Sequence, residues 1–281
     1  MRILPLLSNP RQALGACRDV SRRIADWWYF ERTFADRESR LTAQLLRRSR
    51  KDSGIIRRLG ADPVPVRLRE LGNHAVLCRP GSTDFAVLDA TFRKRYHLPP
   101  PGLKPLTRIL DLGSNIGCTM AHFAARFPEA AVCGIELDEG NVELCRKNIE
   151  AFGARCAVIH AAVWKNSGEV AYDGKAEWGY RVSGGSGRAV VRSYTVADLL
   201  GMLQWPAVDF VKMDIEGAET DVLSPPATWL ERVRVLKVEI HEPYSVEECA
   251  DSLAKAGFRC TRDTSHPACV LAVNEPLFGT N

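Results

Sequence analysis

The spacing of apolar positions changes character twice along the chain. Over "RRIADWWYFERTFADRESRLTAQLLRRSRK" and "IIRRL", apolar residues recur at helical intervals (Ile24, Trp27, Trp28, then Phe34, Leu41, Leu45) with arginines between them, which predicts two helices. Residues 61–102 show short alternating runs, a turn at Pro80-Gly81-Ser82, an amphipathic helix around 84–96 and a proline linker at 99–101. Beyond the linker, apolar runs of strand length alternate with helical segments. They predict strands at 107–112, 131–137, 156–160, 208–213 and 233–240, and helices at 117–127, 139–152, 195–203, from about 217, and 245–256. A polar, hairpin-like insertion occupies 168–194, and an antiparallel pair at 257–263 and 268–273 closes the chain. Such alternation predicts an α/β fold, a Rossmann-like, doubly wound and mostly parallel sheet with a final antiparallel strand. The expected organisation is a basic helical extension (1–60), a small subdomain with linker (61–102) and the α/β domain proper (103–281).

With 281 residues and 46% hydrophobic content, the chain can bury one sizeable core plus an appendage. Its nine cysteines are scattered and form no CxxC pair, so they read as reduced core thiols of a cytoplasmic protein. The opening "MRILPLL" meets Ser8, Asn9 and Pro10 too soon to read as a signal peptide or a membrane span, so no integral membrane segment is expected. Charge is segregated: residues 1–60 carry 14 Lys/Arg against six Asp/Glu, a net of +8, while the rest carry 24 against 28, a net of −4. The bland reading of the extension is a solvated basic face with its aromatics packed on the main domain. Attachment to anionic membrane or nucleic acid is the rival, although no nucleic-acid module appears, and the Trp27-Trp28-Tyr29 cluster could also cover a partner in a homodimer.

The candidate chemistry begins at "RILDLGSNIGCTM", where Asp111 closes a buried strand and Gly113 and Gly117 bracket a turn containing Ser114 and Asn115. In parallel sheets ligands bind at the carboxyl ends of the strands, and the first strand-to-helix turn approaches the ligand closely. A dinucleotide fingerprint needs a second glycine where Asn115 stands, and Asp111 would repel phosphate yet favour an ammonium group. Glu136 with Leu137 ends the next strand, where an acid can accept both hydroxyls of a ribose. Ala161, Ala162 and Val163 would offer backbone contacts to a base. Asp111 alone could instead be a helix cap. A ribose and an amine without phosphates describe S-adenosylmethionine.

Here the sequence resembles the class I S-adenosylmethionine-dependent methyltransferases, and more narrowly the FkbM family. The resemblance spans roughly residues 75–275 through "RPGSTDFAVLDATF", "ILDLGSNIG", "GIELDEGNVELCRKNI", "VDFVKMDIEGAETDVL" and "VEIHE". It implies methyl transfer to a hydroxyl of a sugar or of a polyketide-type product. "ELDEGN" departs from the family's usual aromatic or proline beside the second acid, and the insertion is this chain's own, so acceptor specificity does not carry over. From the residues themselves, parallel strands ending at one edge bring Asp214, Glu216, Glu219, Glu239 and His241 together near the reacting methyl. An alcohol needs a base. His241, titrating near neutrality, is the first choice, with Asp214 or Glu239 orienting its ring. Alternatively Asp214, Glu239 and His241 hold Mg²⁺ or Mn²⁺. Glu219 reads equally as a helix cap. His74, His97, His122, His160 and His266 read as structural or surface residues. Trp178, Tyr180 and the insertion's arginines suit stacking on a sugar ring, although the insertion reads equally as a solvent-covering hairpin. The acceptor expected is a small molecule or oligosaccharide, and not nucleic acid, since neither an NPPY-type motif nor a nucleic-acid module appears. A binding protein on a degenerate methyltransferase fold is the non-enzymatic alternative.

Overall fold

The computed structural model describes residues 10–173, 181–183 and 189–278. Three helices, not two, open it: α1 (Pro10–Thr33), α2 (Arg37–Ser49) and α3 (Ser53–Leu59). The break after α1 has a local cause, since the Asp36 carboxylate accepts the Ser39 N–H at 2.7 Å and starts a new helix. An antiparallel pair follows, β1 (Val64–Arg67) with β2 (Ala75–Cys78). After the turn at 80–82 comes α4 (Asp84–Asp89), which runs into a π-helical turn at Ala90–Lys94. These elements are not freestanding. Phe30, Phe34, Leu46, Val66, Leu88 and Phe92 share one apolar cluster with Ile116, Cys118 and Leu144 of the domain beyond the linker. Each such side chain contributes roughly 1.5–3 kcal/mol when buried.

The main sheet has seven strands. In sequence they are β3 (Arg108–Leu112), β4 (Ala131–Glu136) and β5 (Cys156–His160), separated by α5 (Cys118–Arg126) and α6 (Glu139–Ile149). The insertion is more than a hairpin: β6 (Ala162–Val163), β7 (Gly168–Asp173), β8 (Arg181–Ser183) and β9 (Ala189–Tyr194) form a separate four-stranded sheet in the order β6-β9-β7-β8. Then come α7 (Val196–Met202), β10 (Val208–Met213), α8 (Glu219–Leu223), β11 (Val233–Glu239), α9 (Val246–Lys255), β12 (Phe258–Arg262), β13 (Cys269–Asn274) and a terminal turn, α10 (Glu275–Phe278). The helix expected from about 217 is only five residues long because Pro225 and Pro226 follow its end.

Strand order is β12-β13-β11-β10-β3-β4-β5. From β11 to β5 neighbouring strands are parallel, and β13 is antiparallel to both β11 and β12. The fold is therefore the Rossmann-like, mostly parallel arrangement expected. Chain progression reverses between β3 and β10, which places the switch point of the sheet at the ends of those two strands. Ile109, Leu110, Val211 and Met213 are fully buried there, so the strands read as continuous apolar runs. The eight cysteines from Cys78 to Cys269 all carry free thiols. Among the described residues no helix is long and apolar enough to cross a membrane.

Candidate active site

At the switch point the chain turns sharply after β3. Gly113 adopts φ +82°, and a Cβ there would lie 1.8 Å from the Asp214 carbonyl oxygen, so no other residue fits without moving β10's exit. Asn115 takes φ +48°. Asparagine tolerates this left-handed conformation better than most residues, which explains its presence where a dinucleotide site has glycine. The N–H groups of Gly113 and Ser114 both donate to the Ile135 carbonyl at 3.0 Å, tying the turn to the end of β4. Glu136, at that end, accepts the Asn115 N–H at 2.8 Å on one oxygen and the Asp138 N–H at 2.9 Å on the other. Oε1 also accepts from the Asn141 side-chain amide at 3.5 Å, so the spare lone pair for a ligand hydroxyl is on Oε2. Burial pushes this carboxyl up to about 7, against the pull of those N–H groups.

The turn opens onto a cavity of about 320 Å³. Gly113, Ser114, Asn115, Glu136, Leu137, Ala162 and Asp214 line it, as the sequence suggests, and Ala161 and Val163 do too. Two expected contacts are absent from its wall. Gly117 instead lets α5 and α6 approach: a Cβ there would meet Cys145 Sγ at 2.7 Å. Asp111 lies beneath the wall, fully buried.

Asp111's partner is Lys212, a lysine inside the apolar run of β10 that sequence spacing alone does not connect to it. The β3–β10 register sets the two residues side by side. Lys212 Nζ is 3.4 Å from Asp111 Oδ1 and 3.3 Å from Asp214 Oδ2, and it donates to the Gly113 carbonyl at 2.9 Å. Thr119 donates a hydroxyl proton to the other Asp111 oxygen. Burial opposes charge on Lys212, but Asp214 and Asp111 outweigh it and raise its pKa, so the ammonium stays protonated. Burial raises Asp111, and Lys212 and Thr119 only partly pull it back. Lys212 and Thr119 themselves line the cavity, so Asp111 acts on a ligand through them.

The acid cluster divides into two groups. His241 Nδ1 is 2.9 Å from Glu219 Oε1, and its Nε2 is 3.5 Å from Glu216 and 3.8 Å from Asp214. The fully buried Glu219 also accepts the Ile215 and Gly217 N–H groups, so it both caps the turn and holds the imidazole. Burial disfavours the imidazolium, yet the Glu219 hydrogen bond and the charges of Glu219, Asp214 and Glu216 prevail and raise His241 to about 9. The ring thus carries its proton at neutral pH, contrary to the expectation that it titrates there. Neither Asp214 nor Glu239 orients it.

Glu239 faces the cavity, whereas His241 is not part of the cavity wall. The two were expected to share a face, but β11 ends at Glu239 and strand alternation stops with it. One Glu239 oxygen, Oε2, is buried without a hydrogen-bond partner, and the other lies 3.9 Å from His266 Nε2. Burial, and then the charge of Asp214, push this carboxyl up to about 7. The residues whose ligand atoms converge within 4.8 Å are Asp214, Glu216 and His241, not the Asp214-Glu239-His241 set. Their contacts are those of a protonated ring among carboxylates, so a metal there would have to displace the His241 proton.

The wall also contains Lys94, Tyr96, His97 and His266, none of which the sequence reading placed at the site. For His97 and His266 this differs from the structural or surface role that the sequence suggests. His97 Nε2 lies 3.0 Å from His122 Nδ1, and burial lowers its pKa well below the ordinary value. Trp178 and Tyr180 lie outside the described residues, so the stacking platform expected from them is not part of this geometry.

Residues 111–260, just over half of the chain, match the family model described as the methyltransferase FkbM domain. The chain belongs to the FkbM methyltransferase family. Solved structures similar to this FkbM protein include the precorrin-6y C5,15-methyltransferase of Geobacter metallireducens GS-15, with TM-score 0.39 and 11% identity over 68% of this chain and 86% of that one. Another is StiE O-MT, with TM-score 0.39 and 12% identity over 64% of this chain and 55% of that one. A third is Aeropyrum pernix fibrillarin in complex with S-adenosyl-L-methionine, with TM-score 0.41 and 14% identity over 64% and 71%. No curated protein matches closely enough to count as a relative. The FkbM protein is an S-adenosylmethionine-dependent methyltransferase, and its cavity fits that cofactor. The Asp111–Lys212–Asp214 charge cluster, a spare lone pair on Glu136 Oε2 and a turn that only glycine can make would serve the amine, the ribose and a close backbone approach.

Proposed function

We propose that the FkbM protein transfers the methyl group to a hydroxyl of a sugar or glycan, with Glu239 taking the hydroxyl proton. The observation that carries this reading is the Glu239 carboxylate: it borders the cavity, one of its oxygens is buried and unpartnered, and it titrates at about 7. A base poised near the working pH holds the right protonation state while still pulling on the proton. Bound S-adenosylmethionine supplies an electrophilic methyl on a sulfonium. Glu136 and the Gly113 turn position that group, and Lys212 offsets the negative charge of Asp111 and Asp214 around it. Glu239 holds the acceptor oxygen and accepts its proton as the new C–O bond forms. His241, already protonated and fixed by Glu219, balances Asp214 and Glu216 so that four acids can share one edge of the sheet. We take that trio as an ion-pair cluster and assign no Mg²⁺ or Mn²⁺ to it.

A sugar acceptor is favoured by the polarity of the cavity lining, where Lys94, Tyr96, Glu216, Glu239 and His266 offer donors and acceptors to adjacent hydroxyls. The test is mass spectrometry of a panel of sugars, glycans, polyketide-type alcohols and amines incubated with the protein and methyl-labelled S-adenosylmethionine, with and without EDTA. Label on a sugar oxygen with EDTA present is the expected result. Label only on a polyketide-type alcohol would keep Glu239 and replace the acceptor class, while label only on nitrogen, or activity lost to EDTA and restored by Mg²⁺ or Mn²⁺, would overturn the reading.

A further inference from the structure

We propose that α1 seats the protein on an anionic lipid surface. The aromatics of the extension were expected to pack on the main domain, and Tyr29, Phe30 and Phe34 do. Trp27 and Trp28 do not: with Val20 and Ile24 they are 55%, 49%, 56% and 52% exposed, which is half of the large hydrophobics exposed among the described residues. At 3.6 residues per turn the four fall within about 100° of arc, one continuous apolar stripe. Arg23 and Arg32 border it on opposite sides, and the Arg32 guanidinium lies 5.1 Å from the Trp28 ring centroid.

The outward stripe is fixed by its inner face. Phe30 stacks on Phe34 and on Phe85, and Asp26 pairs with Arg47 and Arg93 at 2.8 and 2.7 Å. Arg93 belongs to the π-helical turn that, with α4, forms a wall of the cavity. A surface that holds α1 therefore holds the cavity beside it.

Charge selects the occupant. The stripe lies within a segment of net +8 on a chain whose remainder is −4. In a two-fold dimer this patch would face its own copy, with like charge against like. An anionic bilayer offers the opposite charge together with an interfacial zone that suits tryptophan and arginine. No transmembrane segment is needed, since the helix lies in the plane of the interface.

The experiment is flotation of the full-length protein with vesicles of phosphatidylcholine alone and of phosphatidylcholine mixed with phosphatidylglycerol. The expected result is binding only to the mixed vesicles, weakening as salt is raised. The pair Trp27→Ser with Trp28→Ser should reduce that binding by about tenfold or more, and Arg23→Glu with Arg32→Glu should do likewise. Both pairs sit on exposed positions, and unchanged melting temperature and S-adenosylmethionine affinity would show the fold and cofactor site intact. Failure of the wild type to bind mixed vesicles, or unchanged binding by both variants, would overturn the proposal. So would a tryptophan variant whose only change is dissociation of a dimer, which would assign the stripe to a second copy of the chain.

Discussion

Replacing Glu239 by Gln is expected to cut methyl transfer by roughly 10²- to 10⁴-fold, the usual weight of a positioned general base, while leaving S-adenosylmethionine affinity unchanged. Glutamine keeps the shape and the hydrogen-bonding oxygen but cannot take the proton. The pH profile separates this residue from its neighbour two positions on. A base works when deprotonated, so activity of the wild type should rise with pH and level off above the base's own titration. Glu239 puts that rise at about 7 and His241 would put it at about 9. A rise near 7 that disappears in Glu239→Gln supports the assignment. Full activity in Glu239→Gln, or a rise near 9 abolished in His241→Ala, would transfer the role to His241.

The largest expected loss of stability follows removal of Lys212. Lys212→Met keeps the length of the side chain but strands Asp111, fully buried, without its counter-charge. Breaking a buried pair by removing one partner costs about 3–5 kcal/mol. The sign of the pH dependence follows from the acid left behind. Without Lys212 the folded-state pKa of Asp111 rises further above its unfolded value, so the variant approaches wild-type stability at acid pH and loses more as pH rises through that higher pKa. Adding Asp111→Asn should recover a large part of the deficit, and a double-mutant cycle of denaturant unfolding measures how much. Additive losses in the double variant would mean that the two residues are not coupled.

Local signals made much of this legible in the sequence. Apolar runs of strand length, each ended by an acid or a glycine, located β3, β4, β10 and β11 to within a residue, because burial on both faces imposes one composition along a strand. The turn after β3 was legible for a stereochemical reason: Gly113 and Asn115 are residue types that accept positive φ. What failed depends on register and on distant segments. Lys212 sits inside "VDFVKMD", and a lysine in a buried run is itself a signal, since lysine is almost never buried unless paired. Naming its partner, though, requires the β3–β10 register. Asp111 and Gly117 were placed at the ligand because they flank the turn, yet one supports Lys212 and the other admits α6. His97 reaches the cavity from the segment before β3 and His266 from the turn between β12 and β13, which no spacing rule connects. His241 was misjudged through alternation carried one step beyond the end of β11, and its proton affinity depends on Glu219, whose own position is set by the turn at 215–217.

The most direct test of the cofactor site is calorimetric titration of the full-length protein with S-adenosylmethionine, wild type beside Glu136→Ala. The end of β4 and the turn after β3 form one hydrogen-bonded unit around that carboxylate. If a ribose hydroxyl takes its remaining lone pair, the variant should bind more weakly by roughly 1–3 kcal/mol, the cost of a lost hydrogen bond to a charged group. Equal affinity in the two proteins would place the cofactor elsewhere and contradict the account.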